Sequence, residues 1–141
     1  MSGNPPVVLV MGREGLMTYK LDRAHAIISI RDPEERVVDI CPLLHPRGIL
    51  RLNFHDVDVP KEDEKGMSME MATAVARFVL HHKKHVEFFI CQCEAGVSRS
   101  AGLAAAITKF LTDDDQYFFT HYTPNSRVYT MTLAALYAAT N

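Results

Sequence analysis

The stretch from position 86 to 111, VEFFICQCEAGVSRSAGLAAAITKFL, constrains the fold more than any other part of the sequence. Its first part, VEFFICQ, is a short apolar run rich in aromatic and β-branched residues, which is typical of a buried strand. Its last part, SAGLAAAITKFL (100–111), is rich in alanine and leucine and predicts a helix. A buried strand that leads through a short loop into a helix is typical of α/β folds with a parallel sheet.

The rest of the sequence continues this alternation of strands and helices. Short apolar runs predict three more strands, at 7–11, 24–30 and 49–54. Apolar residues at helical spacing predict two more helices, at 68–84 and 125–139. Ser68 is the expected N-cap of the first, and Asn125 or Ser126 that of the second. We therefore predict an α/β fold with a central, mostly parallel sheet flanked by helices, in one domain covering residues 1–141.

Net charge, the start of the sequence and the cysteines indicate what the protein binds and where it is located. The formal net charge is −2, so there is no basic excess, and we predict binding to neither nucleic acid nor membranes. The start of the sequence, MSGNPPVVLV, lacks the basic and long apolar parts of a signal peptide, so we expect a cytoplasmic protein. Cys41, Cys91 and Cys93 are expected to be reduced thiols. The sequence leaves the oligomeric state open.

The loop CEAGVSRS, at 93–100, carries the groups of an anion site. It lies at the carboxyl end of a strand and at the start of a helix, where free N–H groups and a partial positive charge favour an anion. Gly96 lets the backbone curl into a nest of N–H groups, and Arg99 offers a planar pair of donors. The expected phosphate-binding residues are Glu94, Ala95, Gly96, Val97, Ser98 and Arg99.

The same loop also contains a nucleophile. In the field of a helix start and a guanidinium, the thiol of Cys93 is expected to ionise more readily than a free cysteine and to attack a bound phosphate. Ser100 could donate its hydroxyl to the sulfur and help it leave in a second step. These features predict that Cys93 is a nucleophile that attacks the phosphorus of a bound phosphate group.

The loop and two other segments resemble the protein tyrosine phosphatase superfamily. Cys-x5-Arg followed by Ser or Thr is similar to its signature, and AGVSRSAG is especially similar to its dual-specificity and small prokaryotic members. FHDVDVP resembles the mobile acid loop, and PNSRVYTMTL resembles the Pro-Asn turn and following helix of the dual-specificity enzymes. The resemblance runs from about residue 49 to the end of the chain.

This resemblance implies the roles of four residues. Cys93 would be the nucleophile, Arg99 the phosphate clamp and Ser100 the helper of the leaving sulfur. Asp56 would be the general acid that protonates the leaving oxygen. Gln92 departs from the family, which usually has a histidine directly before the cysteine, so the thiolate would depend more on the loop amides and on Arg99.

The identity of the acid stays open on the residues alone. Asp56 and Asp58 follow a predicted strand and are two positions apart. Side chains at that spacing point to the same face of a strand, so their positions do not distinguish them. Asp63 lies further along, in the charged loop at 59–66. The Val-Pro pair after FHDVD favours Asp56.

Other polar features have simpler interpretations. The CQC at 91–93 and the HHKKH at 81–85 are poor matches for a metal site, so we predict no metal and no cofactor. Cys91 is expected to pack in the core. His55 could line the pocket or be structural, and GREG at 12–15 predicts a turn.

We therefore predict a cysteine-dependent protein phosphatase that works through a phosphocysteine. The variable loop positions include no lysine, which favours phosphotyrosine, with phosphoserine and phosphothreonine in a dual-specificity range, over polyanionic substrates. Its partner would be a phosphorylated protein or peptide. Two alternatives stay open: a weak or inactive module that binds phosphoproteins, and a rhodanese-like sulfurtransferase.

Overall fold

The computed structural model describes residues 3–140, which form a four-stranded sheet flanked by helices. The strands are β1 (Val7–Met11), β2 (His25–Arg31), β3 (Ile49–Asn53) and β4 (Phe88–Gln92). The helices are α1 (Arg13–Thr18), α2 (Met69–His82), α3 (Arg99–Thr112), α4 (Gln116–His121) and α5 (Ser126–Ala139). The predicted α/β fold is confirmed, and the sheet, predicted to be mostly parallel, is parallel at each of its pairings.

The strand order β1-β4-β2-β3 puts β4 inside the sheet. β4 pairs with β1 on one side and with β2 on the other, so that Ile90 lies between Leu9 and Ile27. A parallel strand covered on both faces is apolar along its length, which explains the uninterrupted run FFIC. Because the strands run parallel, their carboxyl ends meet at one edge of the sheet.

Helices cover one face of the sheet, and a helix with a long loop covers the other. Phe89 and Cys91 of β4 point into the larger core, which they share with α2, α3 and α5. Ile90 points the other way, toward Leu16 of α1 and the buried residues Val38, Cys41 and Leu44 of the long loop. Helix α3 is buried from Arg99 to Ile107, and its small residues let it fit between the sheet and α5.

Both predicted helix caps are confirmed. The side chain of Ser68 accepts a hydrogen bond of 3.2 Å from the Met71 N–H at the start of α2. The Asn125 side chain accepts one of 2.9 Å from the Val128 N–H at the start of α5. These bonds satisfy N–H groups that the first turn of a helix leaves without partners.

Two short helices were not predicted. Helices α1 and α4 have six residues each, too few to show a helical period in the sequence. The turn predicted at 12–15 is wrong, because residues 13–15 are the first turn of α1.

Two further expectations concern the chain as a whole. Cys41, Cys91 and Cys93 are buried free thiols, as predicted. Between residues 3 and 140, no helix is both long enough and apolar enough to cross a membrane.

Candidate active site

The carboxyl edge of the sheet gathers most of the predicted site residues. Cys93 follows β4 directly, and Asp56 follows β3 after a short gap. Arg99 begins α3, the helix that comes after the cysteine loop (residues 93–99). The site is therefore built where ligands bind in open α/β sheets, at the carboxyl ends of the strands.

The cysteine loop rests on the turn that joins β1 to α1. The Cys93 N–H donates to the Met11 carbonyl at 3.3 Å, and the Arg13 N–H donates to the Glu94 carbonyl at 3.0 Å. Gly96 has φ +74°, and a Cβ atom there would lie 2.6 Å from the Gly12 nitrogen. Only glycine fits this contact, so the GREG segment supports the loop, a role that the sequence analysis missed.

The thiol of Cys93 lies at the start of helix α3. Its sulfur is 3.0 Å from the Ser100 hydroxyl oxygen and accepts the Ser100 N–H at 3.4 Å. Both residues are buried, and the sulfur lies at the amino end of a helix of 14 residues, which carries a partial positive charge. The structure thus brings Cys93 and Ser100 together, as the resemblance implied.

The neighbouring thiol of Cys91 has a different environment. Its side chain is fully buried in the larger core. Burial, and secondarily the nearby Cys93, raises the pKa of the Cys91 thiol far above its usual value. Cys91 is therefore a neutral core residue, consistent with the predicted packing role.

Arg99 is turned inward, and one of its nitrogens is fixed by two acceptors. Its Nη1 donates to the Asp32 carboxylate at 2.5 Å and to the Phe54 carbonyl at 2.7 Å. The side chain is only 7% exposed. Its Nε is buried and has no hydrogen-bond partner within residues 3–140. A buried N–H of a charged group without a partner points to an anionic ligand, because leaving such a donor unpaired is costly.

Asp32 is a site residue that the sequence analysis missed. It comes directly after β2, whose carboxyl end lies beside that of β4. Its backbone N–H donates to the Glu35 carboxylate at 2.9 Å, which fixes the turn around it. The sequence does place an acidic residue, Asp32, directly after a predicted strand. It does not show that Arg99 is the basic side chain that Asp32 contacts.

Asp56 contacts the cysteine loop through its carboxylate. Its Oδ1 accepts hydrogen bonds of 2.8 Å from the Ser98 hydroxyl and of 2.8 Å from the Asn125 amide. Asp58, by contrast, is bonded through its backbone carbonyl, which accepts from Arg127 at 3.4 Å. The side chain of Asp63 is exposed and has no bond to any part of residues 3–140. Of the three candidate acids, Asp56 is the one that bonds to the loop.

His55 fixes the start of the loop that follows β3 (residues 55–65). Its Nδ1 accepts the Lys65 N–H at 2.9 Å, so its Nε2 carries the proton and donates to the Glu34 carboxylate at 2.6 Å. This bond lowers the pKa of Glu34. His55 therefore has a structural role, one of its two predicted interpretations, and it joins the loop after β3 to the turn after β2.

Gln92 takes a defined place behind the cysteine. It is fully buried, its Nε2 donates to the Cys93 carbonyl at 2.9 Å, and its Oε1 accepts from the Ser29 hydroxyl of β2. The amide thus fixes the first peptide of the loop by hydrogen bonding alone and adds no charge beside the sulfur.

A pair of carboxyl groups lies at the rim of the loop. The neighbouring Glu35 carboxyl raises the pKa of Glu94, and a hydrogen bond from the Asp32 N–H lowers the pKa of Glu35. Glu94 is therefore the first of the two to take up a proton as the pH falls. The Arg13 guanidinium is 3.7 Å from the Glu94 carboxylate and offsets part of the negative charge.

A cavity of about 250 Å³ adjoins the cysteine loop on the side of Asp56. It is lined by Asp56, Asp58, Ser98, Thr123, Pro124, Asn125 and Ser126. Its polar lining contains two carboxylates and no cation, so a substrate group placed here would meet hydrogen-bonding and acidic side chains.

The comparisons with known proteins identify the fold. No sequence profile of a known family and no curated protein matches the chain. Solved structures do match, among them the human tyrosine phosphatase-like serine/threonine/tyrosine-interacting protein, with a TM-score of 0.62 and 16% identity over 95% of this chain and 93% of that one. The chain has the tyrosine phosphatase fold.

Two other solved structures support the same conclusion. PTPMT1 in complex with PI(5)P matches with a TM-score of 0.58 and 15% identity, over 95% of this chain and 92% of that one. Tk-PTP in the active form matches with a TM-score of 0.53 and 13% identity, over 96% of this chain and 97% of that one. At these identities the likeness is one of fold, and it confirms the fold that the resemblance implied.

Proposed function

We propose that this protein is a cysteine-dependent protein phosphatase that hydrolyses phosphotyrosine, with phosphoserine and phosphothreonine in its range. The observation that carries the proposal is Arg99, which is buried beside the cysteine loop with its Nε lacking a partner within residues 3–140. A phosphoryl oxygen would satisfy this donor, and the loop N–H groups would bind the others. The tyrosine phosphatase fold agrees with this chemistry.

In the first step, the Cys93 thiolate attacks phosphorus in line with the ester oxygen. The S–P bond forms as the P–O bond breaks, and the electron pair of the P–O bond passes to the leaving oxygen. Asp56 gives its proton to that oxygen, so that an alcohol or a phenol departs. The contact between Asp56 and Ser98, at 2.8 Å, supports an acid held beside the loop.

In the second step, water attacks the phosphorus of the phosphocysteine. The Asp56 carboxylate accepts a proton from the water, the S–P bond breaks, and inorganic phosphate leaves. The thiolate that returns is stabilised by the Ser100 hydroxyl, whose oxygen is 3.0 Å from the sulfur.

The charges around the loop support a phosphoprotein substrate rather than a polyanion. The loop contains no lysine, and Glu94 and Glu35 lie at its rim. A substrate with several phosphate groups would meet these carboxylates. PTPMT1 was solved with PI(5)P, so a phosphoinositide belongs in the assay beside the phosphopeptides.

The proposal is tested by hydrolysis of para-nitrophenyl phosphate, with and without vanadate. We expect turnover that vanadate inhibits and that Cys93→Ala abolishes. Cys91→Ala makes the same change two residues earlier on the chain, in a side chain that packs in the core, and it should keep most of the activity. Equal activity in the two variants would contradict the proposal.

The same samples distinguish the alternatives. Phosphopeptide binding without turnover in the wild type would identify a binding module. Formation of a persulfide on Cys93 from thiosulfate, without any dependence on Asp56, would identify a sulfurtransferase. Turnover of phosphopeptides that depends on both residues supports the phosphatase.

A further inference from the structure

We propose that Ser98 and Asn125 form a clamp that positions the general acid Asp56. This inference rests on the proposed phosphatase function and adds two positioning residues to it. Both side chains donate a hydrogen bond of 2.8 Å, and both bonds go to the same atom, Oδ1 of Asp56. The two donors come from different segments, the cysteine loop and the turn before α5.

Asn125 is itself held rigidly, which lets it position another residue. Its Oδ1 accepts the Val128 N–H at 2.9 Å, and its backbone N–H donates to the Ser98 carbonyl at 3.0 Å. Its Nδ2 also lies 3.3 Å from the Val57 carbonyl, next to the acid in the chain. The residue is only 6% exposed. Turning the side chain would break the cap of α5, so its amide nitrogen stays directed at Asp56.

Ser98 fixes the acid relative to the nucleophile. It directly precedes Arg99, so the loop that carries Cys93 and Arg99 also carries one donor of the clamp. The Thr123 N–H donates to the Val97 carbonyl at 3.0 Å, which joins the turn before α5 to the same loop. The position of Asp56 is therefore set by the phosphate-binding loop itself.

The clamp also distinguishes the two oxygens of Asp56. Oδ1 already accepts two hydrogen bonds, and no hydrogen bond within residues 3–140 involves Oδ2. Oδ2 is therefore the oxygen left free to contact the leaving oxygen of a substrate. Because Asp56 is exposed, its side chain would otherwise sample several rotamers, and holding an acid in one orientation favours proton transfer.

The test separates positioning from helix capping by substitutions at Asn125. Asn125→Ser and Asn125→Asp both keep an oxygen that can cap α5, but neither keeps the amide donor. Ser98→Ala removes the other donor. Ser68→Ala removes the cap of α2, without a contact to the acid, and is the control for loss of a cap. Asp58→Ala is the control for loss of a nearby carboxylate.

The measurement is kcat/KM for two substrates that need the acid to different degrees. Para-nitrophenyl phosphate has a good leaving group, whereas phenyl phosphate depends on protonation. We expect Asn125→Ser and Asn125→Asp to lower kcat/KM for phenyl phosphate about 10-fold or more, and for para-nitrophenyl phosphate about 3-fold or less. Asp56→Ala should show the same selectivity with a larger loss, and both controls should lack it.

A double variant gives the decisive comparison. If the clamp acts through Asp56, adding Asn125→Ser to Asp56→Ala should cause no further loss on phenyl phosphate. Equal losses on the two substrates, or additive losses in the double variant, would overturn the clamp while leaving the phosphatase function intact. Absence of hydrolysis by the wild type would overturn the proposed function and the clamp with it.

Discussion

The guanidinium of Arg99 is held by groups that follow two different strands. Asp32 follows β2 and the Phe54 carbonyl follows β3, and both accept from the same nitrogen, Nη1. This leaves Nε for a ligand. A buried arginine with only one of these acceptors could turn toward solvent, so the pair of contacts explains why the side chain stays inside the site.

Removing the Asp32 carboxylate tests this arrangement at the scale of one residue. We expect Asp32→Ala to lower kcat/KM about 10-fold or more, because a displaced arginine no longer meets the phosphoryl oxygens well. Asp32→Asn keeps an acceptor oxygen and should lose less. The free energy of unfolding should fall by about 1–3 kcal/mol in Asp32→Ala, because Arg99 loses a buried partner. Kinetics and urea denaturation measure the two effects.

The control lies at the other end of the same strand. Asp22 is an exposed residue before β2, so Asp22→Ala makes the same change at the amino edge of the sheet. Its activity and stability should stay close to those of the wild type. If both variants lost equal activity, the contact between Asp32 and Arg99 would not be the cause.

Sequence reasoning found the residues of the site that lie in short contiguous motifs. The cysteine, the arginine and the serine of CEAGVSRS needed only local spacing. Asp32 is 67 residues from Arg99, and only the pairing of β2 with β4 brings them together. Asn125 was predicted as a helix cap, but its amide donor reaches Asp56 across 69 residues. Such contacts depend on the order of the strands and on where the helices pack against the sheet, and the sequence specified neither.

At the scale of elements, the cysteine loop depends on the turn between β1 and α1. The sequence predicted the longer helices and the strands well, because each shows a clear period or apolar run. It did not predict α1, whose six residues include Gly15. The contact between Gly12 and Gly96 could not be foreseen either, because it joins β1 to β4 through the sheet.

A methyl group at Gly96 should disrupt this contact. The backbone conformation alone costs Gly96→Ala about 1–2 kcal/mol, and the added atom would lie 2.6 Å from the Gly12 nitrogen, so the loop must shift. We expect kcat/KM to fall about 100-fold, because the loop N–H groups leave their positions. Vanadate affinity and para-nitrophenyl phosphate kinetics measure the effect.

Gly3 offers a matched control for that substitution. A Cβ atom there would have no neighbour within 4 Å, so Gly3→Ala adds the same methyl group to open space. Its stability should stay within about 0.5 kcal/mol of the wild type, with full activity. Retained activity in Gly96→Ala would contradict the proposed support of the loop by the β1–α1 turn.

At the scale of the whole molecule, the distribution of charge should affect substrate choice. The chain has a formal net charge of −2, yet carboxylates gather around the proposed phosphate site. Glu94 and Glu35 lie on one side of the loop, and Asp56 and Asp58 line the cavity on the other. The carboxylates on both sides of the loop would attract basic residues that flank a phosphorylated residue of the substrate. They would repel acidic flanking residues.

We therefore expect a phosphopeptide with flanking lysines to be hydrolysed about 3- to 10-fold more efficiently than one with flanking glutamates at low salt. The ratio should shrink toward one at about 0.5 M salt, because the Debye length becomes only a few ångströms. Glu94→Gln should reduce the preference, since it removes one rim charge. Asp113→Asn removes one charge at the far end of α3 and should leave the preference unchanged. If the preference for flanking lysines were unchanged by salt and by Glu94→Gln, charge at the rim of the loop would not be what selects the substrate.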